Sequence, residues 1–178
     1  TLYVSGGVSQ IVWNEIMWVA VGQMSNTVNS IAFSYDGINW INTNDILFAF
    51  TSAITVAWNG SLWVVGGSSN TTSMGYSYDG IVWYPANNQL FLGNASGVLT
   101  LAWNSIIWVA GGCNTNRTNG SLLWSNDGMT WTKSTTSIYE GGQVQKVLWT
   151  GYKFIAMGYI LSPNTINVFS TSTDGKTW

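Results

Sequence analysis

The sequence has few charged residues, no histidine and a single cysteine. Charged side chains make up 7% of its 178 residues, far below the roughly 25% of ordinary soluble domains, and the net charge is −2. The five basic residues form no stripe that could neutralise phosphates, so nucleic acid is not expected as a partner. The surface is instead expected to be neutral and polar, made of Ser, Thr, Asn and Gly.

These absences exclude further kinds of chemistry. Cys113 has no partner for a disulfide and no histidine to activate it, so we expect a small packed residue rather than a nucleophile. The sequence predicts no metal site and no cofactor, because it has no histidine, no cysteine cluster and no acidic run. Its apolar runs, such as 106–110, are far shorter than the roughly 20 residues that cross a bilayer, so no membrane span is expected.

One short motif, Ser-x-Asp-Gly-x-x-Trp, is present four times. It occupies residues 34–40, 77–83, 125–131 and 172–178. A pair of aromatic residues, always five positions apart, accompanies each copy: Trp13 and Trp18, Trp58 and Trp63, Trp103 and Trp108, and Trp149 and Phe154. The first members of successive pairs lie 45, 45 and 46 residues apart. Self-similarity at one period indicates a repeat architecture.

The second repeat shows the predicted secondary structure. Residues 54–58 alternate like a strand, Asn59-Gly60 is a hairpin signal, and residues 62–65 return as a second strand. A third strand is predicted at 75–78 and, after a turn at Asp79-Gly80, a fourth at 81–84. The four strands of a repeat thus form an antiparallel meander. Some of these strands are apolar on both faces, so both faces of the meander must be covered, and radial stacking of meanders covers them.

The predicted fold is therefore all-β. We expect a β-propeller-like array of four four-stranded antiparallel blades in one repeat domain, 1–178, with approximate blades 1–43, 44–86, 87–134 and 135–178. Four blades can close a small ring, but two chains can also share a ring, or the chain can be part of a longer array. Repeats that do not close would expose strand edges, and such edges pair with another chain.

The motif resembles the Asp-box of the bacterial neuraminidase repeat, which occurs in sialidases, sortilin-type receptors and photosystem assembly-factor propellers. That family's pattern is Ser-x-Asp-x-Gly-x-Thr-Trp, at the turn between the third and fourth strands of a blade. In this sequence Gly follows Asp directly, one residue earlier, and only Thr130 and Thr177 keep the family's Thr. The resemblance implies a propeller fold, and it says little about function because Asp-box propellers have many unrelated functions.

The motif has a structural explanation in its own chemistry. Its carboxylate can accept hydrogen bonds from the backbone of the following turn, Gly supplies a positive φ, and Trp packs between blades. We therefore predict a structural role for Ser34, Asp36, Gly37, Trp40, Ser77, Asp79, Gly80, Trp83, Ser125, Asp127, Gly128, Trp131, Ser172, Asp174, Gly175 and Trp178.

An active site of the sialidase kind is not expected. Sialidases of this family clamp the substrate carboxylate with three arginines, and Arg117 is the only arginine here. The acids outside the motif, Glu15, Asp45 and Glu140, are isolated in sequence, whereas glycoside hydrolysis needs two carboxyl groups roughly 5 to 9.5 Å apart. We therefore predict no catalytic residues and no enzyme, and a sialidase-like glycoside hydrolase is a distant alternative.

Binding is expected where the connections vary. In a four-stranded blade the variable second-to-third and fourth-to-first connections share one face, and recognition usually occurs on such loops. Candidate binding residues there are Asn70, Asn87, Asn88, Asn114 and Arg117. Solvated turns without a ligand are the alternative. Five glycosylation sequons, which can also arise by chance in so polar a chain, begin at Asn59, Asn70, Asn94, Asn116 and Asn119.

Two functions remain open at this point. Low charge and neutral faces suit a non-catalytic structural or adhesive surface protein that packs on copies of itself or on glycans, outside the cell, on a cell surface or on a virion. The alternative is a lectin-like carbohydrate-binding propeller whose repeated pockets would add avidity. Because the loops differ between repeats in length and content, we expect the structural or adhesive function.

Overall fold

The computed structural model describes residues 7–23, 30–43, 52–88, 90–92, 97–114, 120–135, 138–161 and 164–178. Within these ranges the strands form four separate sheets, and in each sheet the strands pair antiparallel in chain order. The predicted all-β array of four antiparallel blades is confirmed. The described ranges contain no helix of the length and apolarity that a bilayer span requires.

The strands have the following bounds. Sheet 1 contains β1 (Val8–Trp13), β2 (Trp18–Gly22), β3 (Ile31–Ser34) and β4 (Ile41–Asn42). Sheet 2 contains β5 (Ser52–Trp58), β6 (Trp63–Ser68), β7 (Met74–Ser77) and β8 (Tyr84–Pro85). Sheet 3 contains β9 (Gly97–Trp103), β10 (Trp108–Cys113), β11 (Gly120–Ser125) and β12 (Thr132–Lys133). Sheet 4, as described, has three strands, β13 (Gly142–Trp149), β14 (Phe154–Ile160) and β15 (Ile166–Ser172).

The fourth strand of a repeat begins later than predicted. In sheet 2 it is Tyr84–Pro85, not residues 81–84. Residues 78–82 form a turn because the Asp79 side chain accepts the backbone N–H groups of Ile81 and Val82, both at 2.8 Å. These two N–H groups are therefore occupied inside the turn, and the strand starts only after the motif Trp.

The hairpin between the first two strands is confirmed, with a longer loop than Asn59-Gly60 suggested. Trp58 lies opposite Trp63, so four residues form the loop. Asn59 Oδ1 accepts the N–H of Ser61 at 2.9 Å and of Leu62 at 2.7 Å, which holds the loop closed. The same register explains the constant spacing of the aromatic pairs, whose ring centroids lie between 4.7 and 4.9 Å apart in all four repeats.

The core lies between successive sheets. One cluster joins Val19 of sheet 1 to Trp83 of sheet 2, a second joins sheets 2 and 3 around Trp131, and a third joins sheets 3 and 4. Trp83 and Trp131 are 0% and 1% exposed, so each packs against the preceding sheet. Among the described strands the packing contacts join successive sheets, and no extensive packing joins sheet 4 to sheet 1.

Candidate functional site

The strands alternate in direction, so the connections lie on two faces. One end of the sheets carries the turns between first and second strands together with the four motifs, and we call it the motif face. These turns are at 14–17, 59–62, 104–107 and 150–153. We call loop face the opposite end, which carries the connections between the second and third strands and those between sheets. Of the predicted binding residues, Asn70 and Asn114 lie on the loop face, in or at the start of connections between second and third strands.

Each motif on the motif face forms the same turn. In the second repeat, Ser77 Oγ donates to Asp79 Oδ1 at 3.0 Å and accepts the Gly80 N–H at 2.8 Å. The indole Nε1 of Trp83 donates to the Gly80 carbonyl at 3.2 Å. The Ser, Asp, Gly and Trp of the other three motifs make equivalent hydrogen bonds. The motif side chains are thus engaged with their own turn.

The turn also keeps the motif carboxylates ionised. Partial burial raises the pKa of Asp79 and of Asp127, but the backbone N–H groups that each accepts outweigh it, so both pKa values lie below the ordinary one. The N–H of Thr177 lowers the pKa of Asp174, and the N–H groups of Asn39 and Ile38 hold that of Asp36 well below its usual range. A general acid needs a raised pKa, so these carboxyls are unsuited to that role.

These lowered pKa values predict acid sensitivity. A carboxyl whose pKa is lowered by folding stabilises the protein above the unfolded pKa, about 3.9 for Asp, and that contribution is lost as the pH falls below it. The free energy of unfolding should therefore be flat above about pH 5 and fall steeply below about pH 4. Urea unfolding at several pH values measures it, and the Asp79→Asn variant should show a shallower fall. An equal slope in both proteins would contradict this role of Asp79.

Sequence reasoning missed a second repeated side-chain contact on the motif face. Asn14 and Asn104 close their first-to-second-strand turns as Asn59 does, each accepting two backbone N–H groups between 2.8 and 3.0 Å. In sheet 4, Thr150 replaces the amide and exchanges hydrogen bonds with the Lys153 backbone. The Asn that follows the first Trp in three repeats was the available signal.

The predicted binding residues are not brought together. Asn87 and Asn88 contact the third motif: Asn87 Nδ2 donates to Thr130 Oγ1 at 2.8 Å, and Asn88 Oδ1 accepts the Trp131 N–H at 2.9 Å. Asn88 Nδ2 also donates to the Trp131 carbonyl. Both amides therefore tie sheet 2 to sheet 3. The candidates that lie outside the described residues are Asn94, Asn116, Arg117 and Asn119.

The other predicted residues lie apart from one another. Asn70 is exposed in the turn after β6, and Asn59 is partly buried on the motif face. Of the acids outside the motif, Glu15 lies on the motif face and Glu140 on the loop face, while Asp45 is outside the described residues. The part of the chain that the structure describes also contains no group of three or more metal-ligating side chains.

Asn114 lines a cleft of about 150 Å³ on the loop face of sheet 3. Phe91 and Leu123, 2% and 1% exposed, give it an apolar lining. Its polar side chains are Asn114, partly buried after β10, Ser121 at the start of β11, and the exposed Lys133 at the end of β12. The sequence analysis singled out only Asn114 among these residues.

A buried hydroxyl beside the cleft has no partner among the described residues. Ser134 follows Lys133, and its N–H donates to the Leu122 carbonyl at 2.8 Å, so it lies next to the cleft-lining part of β11. Its side chain is 5% exposed, and its Oγ makes no hydrogen bond within the described part of the chain. Ser30 Oγ and Asn42 Oδ1 are likewise unpaired within the described part of the chain, so this hydroxyl does not by itself indicate a ligand.

Comparison with known proteins identifies the fold. No protein-family model and no curated protein matches the chain. A GH74 xyloglucanase from Xanthomonas campestris is similar with a TM-score of 0.66 and 14% identity, over 92% of this chain and 27% of that one. A "putative glycosidase" from Bacteroides thetaiotaomicron is similar with a TM-score of 0.50 and 8% identity, over 96% of this chain and 70% of that one. The chain thus spans about a quarter of the xyloglucanase, and these likenesses show the fold.

The comparison corrects two expectations. The expectation of a non-catalytic structural or adhesive surface protein and the expectation that the chain is not an enzyme are both contradicted by the comparison, because two of the similar solved structures are named as a xyloglucanase and a glycosidase. The error came from composition. A neutral surface rich in Asn, Ser and Thr suits self-packing, but the same side chains also form the hydrogen bonds that neutral sugars need.

Proposed function

We propose that the chain is a carbohydrate-binding propeller segment and that the sheet 3 cleft is its sugar site. The observation that carries the proposal is the lining of this cleft: Phe91 and Leu123 are buried and apolar, while Asn114, Ser121 and Lys133 are polar. The two similar structures, whose names refer to carbohydrate-processing proteins, support the same ligand class.

The lining matches the chemistry of a sugar ring. A ring presents a C–H face, which packs on apolar side chains, and hydroxyls, which both donate and accept hydrogen bonds. Phe91 and Leu123 offer the apolar contact, the Asn114 amide both donates and accepts, and the Lys133 ammonium donates. At about 150 Å³ the cleft is smaller than the roughly 300–1,000 Å³ of drug-sized pockets, so it suits one ring of an oligosaccharide.

The Lys133→Ala variant tests this site. Loss of a charged donor costs about 1.5–3 kcal/mol, so we expect roughly tenfold weaker binding or more. Isothermal titration with neutral β-glucan and xyloglucan oligosaccharides measures it. The matched control is Lys153→Ala, which removes the same charge from the motif face and should leave affinity unchanged. Binding that resists the Lys133 change, or no binding of any neutral oligosaccharide, would contradict the proposal.

Hydrolysis can be followed in the same samples. Glu140 is exposed on the loop face, which also carries the cleft. Among the described residues it is the carboxyl group on that face. Release of reducing ends that stops in the Glu140→Gln variant would make the site catalytic. Binding without release would leave it a recognition site.

A further inference from the structure

The residues that line the sheet 3 cleft are held in two different ways. Leu123 of β11 and Lys133 of β12 are held by the ladder of sheet 3, in which they pair with each other. Leu90 and Phe91 line the cleft from the connection between sheets 2 and 3, and neither of them belongs to a strand. We call Leu90 and Phe91 the connection wall. No ladder places this wall, so contacts of the connection itself must do so.

The connection passes from sheet 2 to the third motif within one residue. The N–H of Ala86 donates to the Met74 carbonyl of β7 at 3.0 Å, which continues the pairing of sheet 2. The N–H of the next residue, Asn87, donates to the Met129 carbonyl of the third motif at 2.9 Å. The chain therefore reaches the segment that leads into β12 just before it forms the connection wall.

Asn88 then binds the backbone of Trp131 with both ends of its amide. Its Oδ1 accepts the Trp131 N–H at 2.9 Å, and its Nδ2 donates to the Trp131 carbonyl. Asn88 lies two positions before Leu90, and Trp131, which is 1% exposed, lies two positions before Lys133. This pair of hydrogen bonds thus joins the two chain segments immediately before each of them reaches the cleft.

We infer that Asn88 is a positioning residue of the sheet 3 cleft, an inference that rests on the proposed sugar site. Its amide holds the connection wall against sheet 3, so that Leu90 and Phe91 are ordered before a sugar binds. Asn88 is not among the described residues that line the cleft, and Trp131 engages both ends of its amide, so it acts through the wall. A wall that is ordered in advance spares the complex the entropy of ordering it.

The amide is suited to this role because it carries a donor and an acceptor side by side, as the backbone of Trp131 does. An ionised carboxylate has nearly the same shape but can only accept hydrogen bonds. In the Asn88→Asp variant one carboxylate oxygen would still accept the Trp131 N–H, while the other would face the Trp131 carbonyl and be repelled by it. We therefore expect Asn88→Asp to release the wall, as Asn88→Ala does.

Isothermal titration with xyloglucan oligosaccharide tests the inference. Release of two wall side chains should weaken binding roughly tenfold in Asn88→Ala and in Asn88→Asp. The matched control is Asn104→Ala, which also removes an amide that makes two hydrogen bonds to the backbone, but on the motif face. It should lower stability by a similar amount and bind as the wild type does. An equal loss of affinity in Asn104→Ala would show that affinity only follows stability, and would overturn the inference.

A double-mutant cycle tests whether Asn88 acts through the wall. Leu90 is 40% exposed, so its truncation leaves the core intact. Leu90→Ala should weaken binding in the wild-type background and have little further effect in Asn88→Ala, because the wall is already displaced there. Losses of affinity that simply add would contradict an action through the wall.

Failure of this inference can be told from failure of the sugar site itself. A wild-type chain that binds no neutral oligosaccharide would overturn the proposed function and this inference with it. A wild type that binds, with unchanged affinity in both Asn88 variants, would overturn this inference alone. The backbone amide signals of ligand-free Asn88→Ala should shift at Leu90 and Phe91 and stay unchanged in the motif-face turns, which shows that the variant is folded. Unshifted signals at Leu90 and Phe91 would also contradict the positioning role.

Discussion

The Trp131→Ala variant is expected to lose about 4 kcal/mol of unfolding free energy, within the range of about 3–5 kcal/mol for buried Phe or Trp truncations. Trp131 is 1% exposed and packs in the cluster that joins sheets 2 and 3, beside Leu62 and Val64. Alanine would leave a large cavity at that junction and remove the indole hydrogen bond to the Gly128 carbonyl at 3.1 Å. Urea unfolding followed by tryptophan fluorescence measures the loss.

Trp40→Ala is the matched control. Trp40 makes the same hydrogen bond inside its turn, to the Gly37 carbonyl at 3.2 Å, but among the described strands no preceding sheet packs against it. Its removal should cost about 1 kcal/mol, close to the net value of one hydrogen bond. Equal losses in the two variants would show that the motif Trp stabilises its own turn rather than the junction between sheets.

The second large effect is expected for Gly128→Ala. The backbone at Gly128 has φ of 75°, and an added Cβ would lie 2.8 Å from Leu62 Cδ2 and 3.0 Å from Val64 Cγ2. The left-handed backbone costs a non-glycine residue roughly 1–2 kcal/mol, and overpacking costs about 1–3 kcal/mol more. Together they predict a loss of about 3 kcal/mol, measured by the same urea unfolding.

Gly37→Ala separates the two causes. Gly37 has φ of 72°, but the nearest atom to an added Cβ is Trp18 Nε1 at 3.4 Å, so only the backbone cost applies. We expect this variant to lose about 1–2 kcal/mol of unfolding free energy. If the two alanine variants were equally stable, the contact between the motif glycine and the preceding sheet would have no energetic weight.

Most of the fold follows from the sequence because each repeat contains its own turn signals. Asp79 and Asn59 act on residues two and three positions ahead, and such local contacts recur wherever the pattern recurs. The fourth strand was misplaced for the same local reason, since the continuous apolar run at 81–84 does not reveal that Asp79 accepts the N–H groups of Ile81 and Val82.

The candidate site was only partly predictable. Asn114 could be found because it lies on a variable loop, but the cleft also takes Phe91, Ser121 and Lys133 from three other segments. No regular spacing in the sequence links these segments. They come together only because the connection between sheets 2 and 3 folds against sheet 3. The contacts of Asn87 and Asn88 with the third motif, about 43 positions away, are equally non-local.

Binding of a neutral sugar in the sheet 3 cleft is tested most directly by titrating isotope-labelled protein with xyloglucan oligosaccharide and following the backbone amide signals. We expect saturable shifts concentrated at Asn114, Ser121, Lys133 and Ser134, with the motif-face turns unchanged. Shifts confined to the motif face, or no shift at saturating sugar, would contradict it.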